Sequence, residues 1–241
     1  MRIAIVSDIH GNLTALEAVI ADLRTQAPDL VLQGGDLPYG GSNAAEVMDR
    51  VAELGWPGVV GNTDEVLWKT DGIKRMLTEA PKLSSLLKMI EECAVATRDL
   101  IGEPRMKQLQ SLPMELRQGE LVLLHAAPGD LWKAPTDPAD DAALESVYGS
   151  LGAKMVVYGH IHRPFIREFS NFTVSNSGSV GMPYDGDPRA CYLLLTDDRP
   201  EIRRVEYDIE SEIKSLLASN YPHKEWLAEV RRRGAYVPPT L

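Results

Sequence analysis

The opening segment MRIAIVSDIHGN, residues 1–12, places a short apolar run directly before an aspartate, a histidine and a glycine. Ile3 to Ser7 is typical of a short buried strand, and apolar residues then recur at helical spacing from Leu13 to Leu23. Pro28 ends that pattern, and Leu30 to Leu32 forms a second apolar run. A strand, a helix and a further strand in this order predict an α/β fold with parallel strands joined by right-handed crossovers.

The same alternation continues along the chain, which we interpret as a single domain of residues 1–241. Residues 44–54 are predicted to be helical and residues 58–60 to form a third parallel strand. From about 65 to 112 the spacing is helical and strand patterns are lacking, which predicts a helical insertion. The other predicted elements are strands near 121–124, 155–158, 164–169, 172–175, 191–196 and 202–207, and helices near 140–151, 209–219 and 224–233.

The acidic composition limits the partners that the protein is expected to bind. A net charge of −10 and a pI near 5.0 argue against duplex nucleic acid, which is bound by basic surfaces. The first apolar run is shorter than the core of a signal peptide, and no run of 18 apolar residues occurs. We therefore expect a cytoplasmic protein with no membrane partner. Cys93 and Cys191 form no CxxC pair, so neither a disulfide framework nor a thiolate zinc site is predicted.

Polar side chains that can bind metals follow five of the predicted strands. Ligands in open α/β sheets gather beyond the carboxyl ends of strands, so these side chains are expected to converge. Four of the five histidines of the chain lie at these strand ends, and only His223 lies elsewhere. The candidates are Asp8, His10, Asp36, Asn62, His125, His160 and His162.

Each of these short motifs alone is weak evidence for a metal site. Their joint occurrence in this order is what distinguishes a metal site from capped turns and surface histidines. In an extended segment, residues i and i+2 point to the same side, so Asp8 with His10, and His160 with His162, are expected to address one metal cluster. Glycines next to these candidates, such as Gly35, are expected where the chain turns sharply near a ligand.

The ordered motifs D-x-H at 8–10, G-D at 35–36, G-N at 61–62, a lone His125 and G-H-x-H at 159–162 resemble those of the calcineurin-like metallophosphoesterase superfamily. The similarity is greatest to its compact prokaryotic phosphoesterases and phosphodiesterases. This resemblance implies a four-layer αββα sandwich, in which two mixed β-sheets are flanked by helices.

The resemblance also implies two divalent cations. Asp8, His10 and His162 would bind the first, and Asp36 would bridge to a second bound by the remaining three candidates, Asn62, His125 and His160. Imidazole and oxygen ligands suit manganese, iron, zinc or nickel. A hydroxide that bridges the metals would be the nucleophile, with Asp36, Asn62 and His125 as the main catalytic ligands and a small phosphate ester as the substrate.

The third motif departs from the pattern of many relatives. They carry G-N-H-[DE], whose histidine is thought to protonate the leaving oxygen, whereas this chain has Thr63 followed by Asp64. Without that acid, phosphodiesters or activated aryl phosphates are the expected substrates. Asp64 is a second candidate for the acid, although capping of a turn is the role favoured for it. Asn62 and Arg163 are candidates for contact with the substrate phosphate.

Several alternatives remain open from the residues. A phosphomonoesterase that acts on phosphoserine or phosphothreonine is one, and a non-catalytic scaffold with this fold is another. Retention of all seven candidate ligands favours an enzyme. Tyr39, Trp132 and Tyr184 could stack on an aromatic group, although packing is the favoured role. The basic run at 231–233 is interpreted as a solvated helix end whose charges complement the helix dipole.

Overall fold

Short apolar strands and amphipathic helices alternate through the computed structural model, which describes residues 1–136 and 139–238. The strands are β1 Arg2–Val6, β2 Leu30–Gln33, β3 Glu115–Gln118, β4 Leu121–Leu124, β5 Met155–Tyr158, β6 Phe165–Glu168, β7 Thr173–Asn176, β8 Ala190–Thr196 and β9 Arg199–Val205. The helices are α1 Leu13–Gln26, α2 Ala44–Leu54, α3 Asn62–Glu65, α4 Asp71–Glu79, α5 Ser84–Gln110, α6 Asp141–Tyr148, α7 Ile209–Ala218 and α8 Lys224–Arg233.

The strands form two mixed sheets. One has the order β2-β1-β8-β9, in which β1 and β2 are parallel and the other pairs are antiparallel. The other has the order β3-β4-β5-β7-β6, in which β4, β5 and β7 are parallel. The carboxyl ends of β1 and β2 in one sheet, and of β4 and β5 in the other, are the strand ends that carry the candidate ligands.

Three apolar layers hold these sheets together. Alternate residues of β1, such as Ile3 and Ile5, pack against Leu123 and Val157 of the other sheet and form the central layer. The opposite faces of β1 and β8 pack on α1, α2 and the C-terminal helices, while those of β4 and β5 pack on α6. The four-layer αββα sandwich implied by the sequence resemblance is therefore confirmed.

Helices occupy the segment between residues 62 and 110. The longest of them, α5, is sharply kinked at Gly102, whose φ of 66° lies in the left-handed region that glycine tolerates. Pro104, two residues later, cannot donate a backbone hydrogen bond and starts the second arm. The first arm of α5 lies beside the candidate site and supplies part of its wall.

One predicted strand was wrong, and one strand of the structure was not predicted. Residues 58–60 form only an isolated parallel bridge between Gly58 and Gln33, because the chain turns away at Gly61, where it approaches the Asp36 backbone closely. The strand β3 was not predicted, since its sequence Glu-Leu-Arg-Gln is polar. It pairs at the edge of its sheet with β4, where half of its residues face solvent.

Candidate metal centre

Loops that directly follow β1, β2, β4 and β5 carry six of the seven candidate ligands, and Asn62 begins the short helix α3. Backbone hydrogen bonds tie these loops together. The Asp8 N–H donates to the Gly35 carbonyl at 3.0 Å, and the His10 N–H donates to the Asp36 carbonyl at 3.1 Å. The Gly159 N–H donates to the His125 carbonyl at 3.0 Å in the other sheet. Within each sheet, the loops that carry the ligands are thus held in fixed positions relative to one another.

The ligand loops are not extended, contrary to the spacing argument from the sequence. Five ligand residues have left-handed backbone conformations, a region in which residues with a Cβ are uncommon. Such a conformation costs about 1–3 kcal/mol per residue and is characteristic of functional sites. The φ angles are 56° at Asp8, 52° at His10, 55° at Asp36, 66° at His160 and 57° at His162.

Four side chains form a first group of metal-competent atoms. Atoms of Asp8, His10, Asp36 and His162 all lie within 4.8 Å of one another, and all four residues are buried. The His10 Nε2 and His162 Nε2 atoms are 3.1 Å apart, and His162 Nε2 is 3.1 Å from Asp8 Oδ1. This is the set that the family resemblance implied for a first cation, with Asp36 as the shared ligand.

A second group lies on the other side of Asp36. The Asn62 Oδ1 atom is 2.9 Å from both His125 Nε2 and His160 Nδ1. Asp36 directs one oxygen to each group, since Oδ1 is 3.5 Å from His125 Nε2 and Oδ2 is 3.7 Å from His10 Nε2. The structure therefore brings all seven predicted ligands together around one central carboxylate.

Backbone carbonyls fix which ring nitrogen faces the centre in three of the histidines. His10, His125 and His162 each direct Nδ1 to a carbonyl oxygen, at 2.9, 2.8 and 2.6 Å respectively. A carbonyl only accepts, so each Nδ1 carries the hydrogen and each Nε2 presents a lone pair. These three acceptor carbonyls belong to Tyr39, Gly34 and Met182.

The orientation of these lone pairs provides a test of fit for a metal. At 3.1 Å, the Nε2 lone pairs of His10 and His162 face each other, and the lone pair of His125 faces the Asn62 carbonyl oxygen. Acceptors that face acceptors repel unless a cation lies between them. Nitrogen and oxygen donors without sulfur fit manganese, iron, zinc or nickel, so the donor set fits two divalent cations.

Three of the ligands have pKa values that favour the ionisation states needed for metal binding. Burial lowers the pKa of His10 to about 4 and the pKa of His160 to about 4, so both rings are neutral at pH 7. Burial acts against ionisation of Asp8, but the neighbouring His162, His125 and His10 rings outweigh it and hold the pKa of Asp8 below its usual value. Neutral imidazole and carboxylate are the forms that coordinate cations.

Asp64 supports the site from behind rather than from the cleft. Its Oδ2 accepts hydrogen bonds from the Asp36 and Gly61 N–H groups at 2.9 and 2.8 Å, and its Oδ1 accepts one from Leu37 at 3.0 Å. Burial, with the nearby Asp36 carboxylate, raises the pKa of Asp64 to about 7. Because the side chain is fully buried and lines no part of the cleft, this geometry favours the capping role over proton donation.

Of the other residues that the sequence analysis discussed, some line the cleft and others lie outside it. Arg163 is half-buried and is not among the described residues that line the cleft. Trp132 lies elsewhere and donates from Nε1 to Glu65 Oε2 at 3.0 Å. Tyr39 and Tyr184 both line the cleft, and the Tyr184 ring stacks on His162 with centroids 4.4 Å apart. His223 caps α8 and contacts Glu92 at 2.6 Å, away from the ligands.

Arg231 corrects the interpretation of the basic run at 231–233. Its side chain is fully buried, and its Nη2 donates to the carbonyls of His10 and Gly40 at 2.9 and 3.0 Å. Its Nη1 lies 3.2 Å from Glu212 Oε1, and this carboxylate is also fully buried. Arg231 follows Leu227 and Val230 at helical spacing on the buried face of α8, a pattern that could have identified it.

A cleft of about 230 Å³ opens in front of the ligands. Its floor contains His10, Asp36, Asn62, His160 and His162, and Thr63 lies next to them. The facing wall comes from α5, the loop after β7, α8 and the residues after α8. The donor atoms are therefore accessible to a small ligand from one side only, while the rest of the centre is buried.

Comparisons with known proteins agree with the fold of this chain. A family model described as the calcineurin-like phosphoesterase superfamily domain matches residues 1–199. An uncharacterized protein of Methanocaldococcus jannaschii is 31% identical over 252 residues, which cover 94% of this chain and 96% of that protein. The crystal structure of a metallophosphoesterase from Sphaerobacter thermophilus has a TM-score of 0.79 at 25% identity, and the match covers 98% of this chain and 100% of that chain.

A hypothetical protein from Pyrococcus horikoshii OT3 has the same fold, with a TM-score of 0.79 at 16% identity over 98% of this chain and 99% of that chain. The two structural matches extend past residue 199, so they include the C-terminal helices α7 and α8. Within the described residues, no helix combines the length and the apolar character needed to cross a membrane.

Proposed function

The chain belongs to the calcineurin-like phosphoesterase superfamily, and from this membership we propose that it hydrolyses phosphate esters at a centre for two divalent cations. The observation that carries the proposal is the position of Asp36, which directs one carboxylate oxygen to each of two groups of nitrogen and oxygen donors. When bound, two such cations would activate a water as the nucleophile and neutralise the charge of the phosphoryl oxygens.

The side chains of the centre have distinct roles in this proposal. Asp8, His10 and His162 would hold the first cation, and Asn62, His125 and His160 would hold the second. The carbonyls of Gly34, Tyr39 and Met182 keep three of the imidazoles in the tautomer that ligation requires. Asp36 would be a ligand of both cations, and the Thr63 N–H, which donates to its Oδ1 at 2.9 Å, holds that carboxylate in place.

Phosphodiesters and activated aryl phosphates are the preferred substrates in this proposal. Every histidine that lines the cleft in the described structure belongs to the ligand set, and Thr63 occupies the position of the acid found in many relatives. A threonine hydroxyl does not donate a proton to an alkoxide at neutral pH. Leaving groups that depart without protonation are therefore favoured, because a general acid contributes about 10²–10⁴-fold only where the leaving group needs one.

The decisive experiment measures hydrolysis with each of manganese, magnesium, zinc and nickel. Bis-aryl phosphates, aryl monophosphates, cyclic nucleotides and a phosphopeptide serve as substrates. We expect the bis-aryl and activated aryl esters to be hydrolysed fastest, with manganese among the activating metals. Protein that binds the metals but hydrolyses none of the substrates would instead support the alternative of a non-catalytic scaffold. Preference for the phosphopeptide would support the alternative of a phosphomonoesterase that acts on phosphoserine or phosphothreonine.

The variant His125→Ala tests the proposed centre, and His223→Ala is its matched control. His125 is fully buried and faces Asn62 and Asp36, whereas His223 lies on the surface beside Glu92. We expect His125→Ala to lower kcat/KM by at least about 10²-fold through loss of a ligand, and His223→Ala to leave it unchanged. Undiminished activity of the His125 variant would overturn the proposal.

A further inference from the structure

The wall of the cleft that faces the donors is apolar and is assembled from distant parts of the chain. Leu86 and Ile90 come from the first arm of α5, and Met182 and Tyr184 from the loop after β7. The remaining wall residues, Trp226 and Tyr236, come from α8 and the segment that follows it. The rings of Tyr184 and Tyr236 meet edge to face with centroids 5.9 Å apart. Exposed apolar surface of this kind beside a polar centre is typical of ligand sites.

The charge of the cleft restricts the ligand further. The cleft has a volume of about 230 Å³ and is open in front of the ligands, so it accepts a phosphoryl group with a ring beside it. None of its thirteen described lining residues is lysine or arginine. A second phosphate or another anionic substituent would therefore enter the cleft without a counter-charge.

We propose that this wall is the subsite for the ester substituent, and that it selects an uncharged, planar apolar group. The proposal rests on the proposed hydrolysis of phosphate esters and names the substrate class within it. The phosphoryl group faces the five ligands on the cleft floor, and the ring lies against the wall that contains Ile90 and Trp226. Esters of aromatic alcohols fit this subsite, whereas nucleoside polyphosphates do not.

Equilibrium binding of phosphonates tests the subsite without turnover. Phenylphosphonate and methylphosphonate carry the same phosphoryl charge and differ in the ring, and 4-carboxyphenylphosphonate adds a negative charge to that ring. Titration calorimetry on the manganese-loaded protein is expected to give at least about tenfold tighter binding of phenylphosphonate than of methylphosphonate, because the ring is buried. The carboxylate is expected to remove most of that gain.

Substitutions in the wall test whether the preference for a ring comes from these residues or from packing elsewhere in the protein. Trp226→Ala and Leu86→Ala are expected to bring the phenyl-to-methyl affinity ratio below about threefold, and Trp226→Phe to retain it. Trp56→Ala is the matched control, because Trp56 is a half-buried tryptophan outside the cleft. Ile90→Lys supplies the missing cation and is expected to strengthen binding of 4-carboxyphenylphosphonate while weakening that of phenylphosphonate.

The outcomes distinguish the subsite from the hydrolase itself. Equal affinity for phenyl- and methylphosphonate in a protein that hydrolyses phosphate esters would overturn the subsite alone. A protein that binds neither phosphonate and hydrolyses no ester would overturn the proposed function. An affinity ratio that stays above tenfold in the folded Trp226→Ala and Leu86→Ala variants would also overturn the subsite.

Discussion

Thr63 is the residue at which this chain departs most informatively from many of its relatives. Thr63→His would place an imidazole at the edge of the cleft, beside the Asp36 carboxylate to which the Thr63 N–H donates. We expect kcat/KM to rise for esters of poor leaving groups, by up to about 10²-fold, and to change little for activated ones. The measurement is the slope of log kcat/KM against the pKa of the leaving group, which becomes shallower.

The control for this variant is Thr63→Val, which keeps the shape of the side chain and removes the hydroxyl. We expect it to leave that slope unaltered, because neither threonine nor valine donates a proton at neutral pH. An equal rise of the Thr63→His variant on good and poor leaving groups would contradict the general-acid explanation.

Asp64 permits a prediction about stability. Asp64→Ala removes the acceptor of three buried N–H groups, those of Asp36, Leu37 and Gly61. We expect a loss of about 3 kcal/mol in the free energy of unfolding of the metal-free protein, measured by urea denaturation. The matched control is Asp29→Ala, which removes an acceptor from one exposed N–H group, that of Arg2, and should cost less than about 1 kcal/mol. Equal losses would show that Asp64 is not a buried cap.

The identities of the candidate ligands could be predicted from residues alone, because all of them except Asn62 follow strands directly and the motif order is specific. Their backbone conformations could not. The left-handed φ angles at Asp8 and His160 depend on hydrogen bonds between loops that are distant in sequence. Local spacing therefore predicted extended segments, and tertiary contacts determined the actual loops.

At the scale of elements, α8 is tied to the loop that follows β1. Arg231→Met removes two hydrogen bonds to the His10 and Gly40 carbonyls and leaves Glu212 buried without its charge partner. We expect a loss of about 3–5 kcal/mol in the free energy of unfolding, because an unpaired buried charge is costly. Metal affinity is expected to fall about 10–100-fold, as measured by competition with a chelating dye.

A double variant separates these two effects. Glu212→Leu with Arg231→Met removes both charges, so we expect much of the stability to return while metal affinity stays low. Arg233→Met is the control on the same helix, since Arg233 is exposed and, among residues 1–136 and 139–238, pairs only with Glu229, and it should change stability by less than about 0.5 kcal/mol. Full recovery of metal affinity in the double variant would show that Arg231 does not position His10.

Most helices and strands were predicted to within a few residues, and β3 was missed. The predicted helix at 44–54 has the bounds of α2, and the predicted helix at 224–233 has those of α8. In contrast, β3 lies at a sheet edge with a polar sequence, so its hydrophobic pattern is weak. Both faces of β4 and β5 are buried, so each strand has a continuous apolar sequence. Such a run can be recognised from the sequence alone.

At the scale of the whole molecule, the candidate centre joins the two sheets. Asp8 and Asp36 follow strands of one sheet, and His125 and His160 follow strands of the other. A cation bound by both sets is present only in the folded state, so manganese at 100 times its Kd should add about 2.7 kcal/mol of stability. For a domain of this size the expected rise in Tm is roughly 5–10 °C, measured by calorimetry after removal of metal with a chelator.

The His125→Ala variant is the control for this stabilisation. It removes a donor of the second group only, so we expect part of the rise in Tm to be lost. An identical Tm with and without manganese in the unmodified protein would contradict binding by the folded centre. An identical rise in the variant would place the stabilising cation elsewhere.

The bond between Arg231 and the His10 carbonyl also concerns the order in which the chain is made. The two residues are 221 positions apart, so at about 5–20 residues per second the ribosome needs roughly 10–45 s to add the second after the first. All seven candidate ligands are therefore synthesised before Arg231, whose guanidinium group bonds the His10 carbonyl. A nascent chain can therefore contain its complete donor set while the loop after β1 still lacks its hydrogen bond to Arg231.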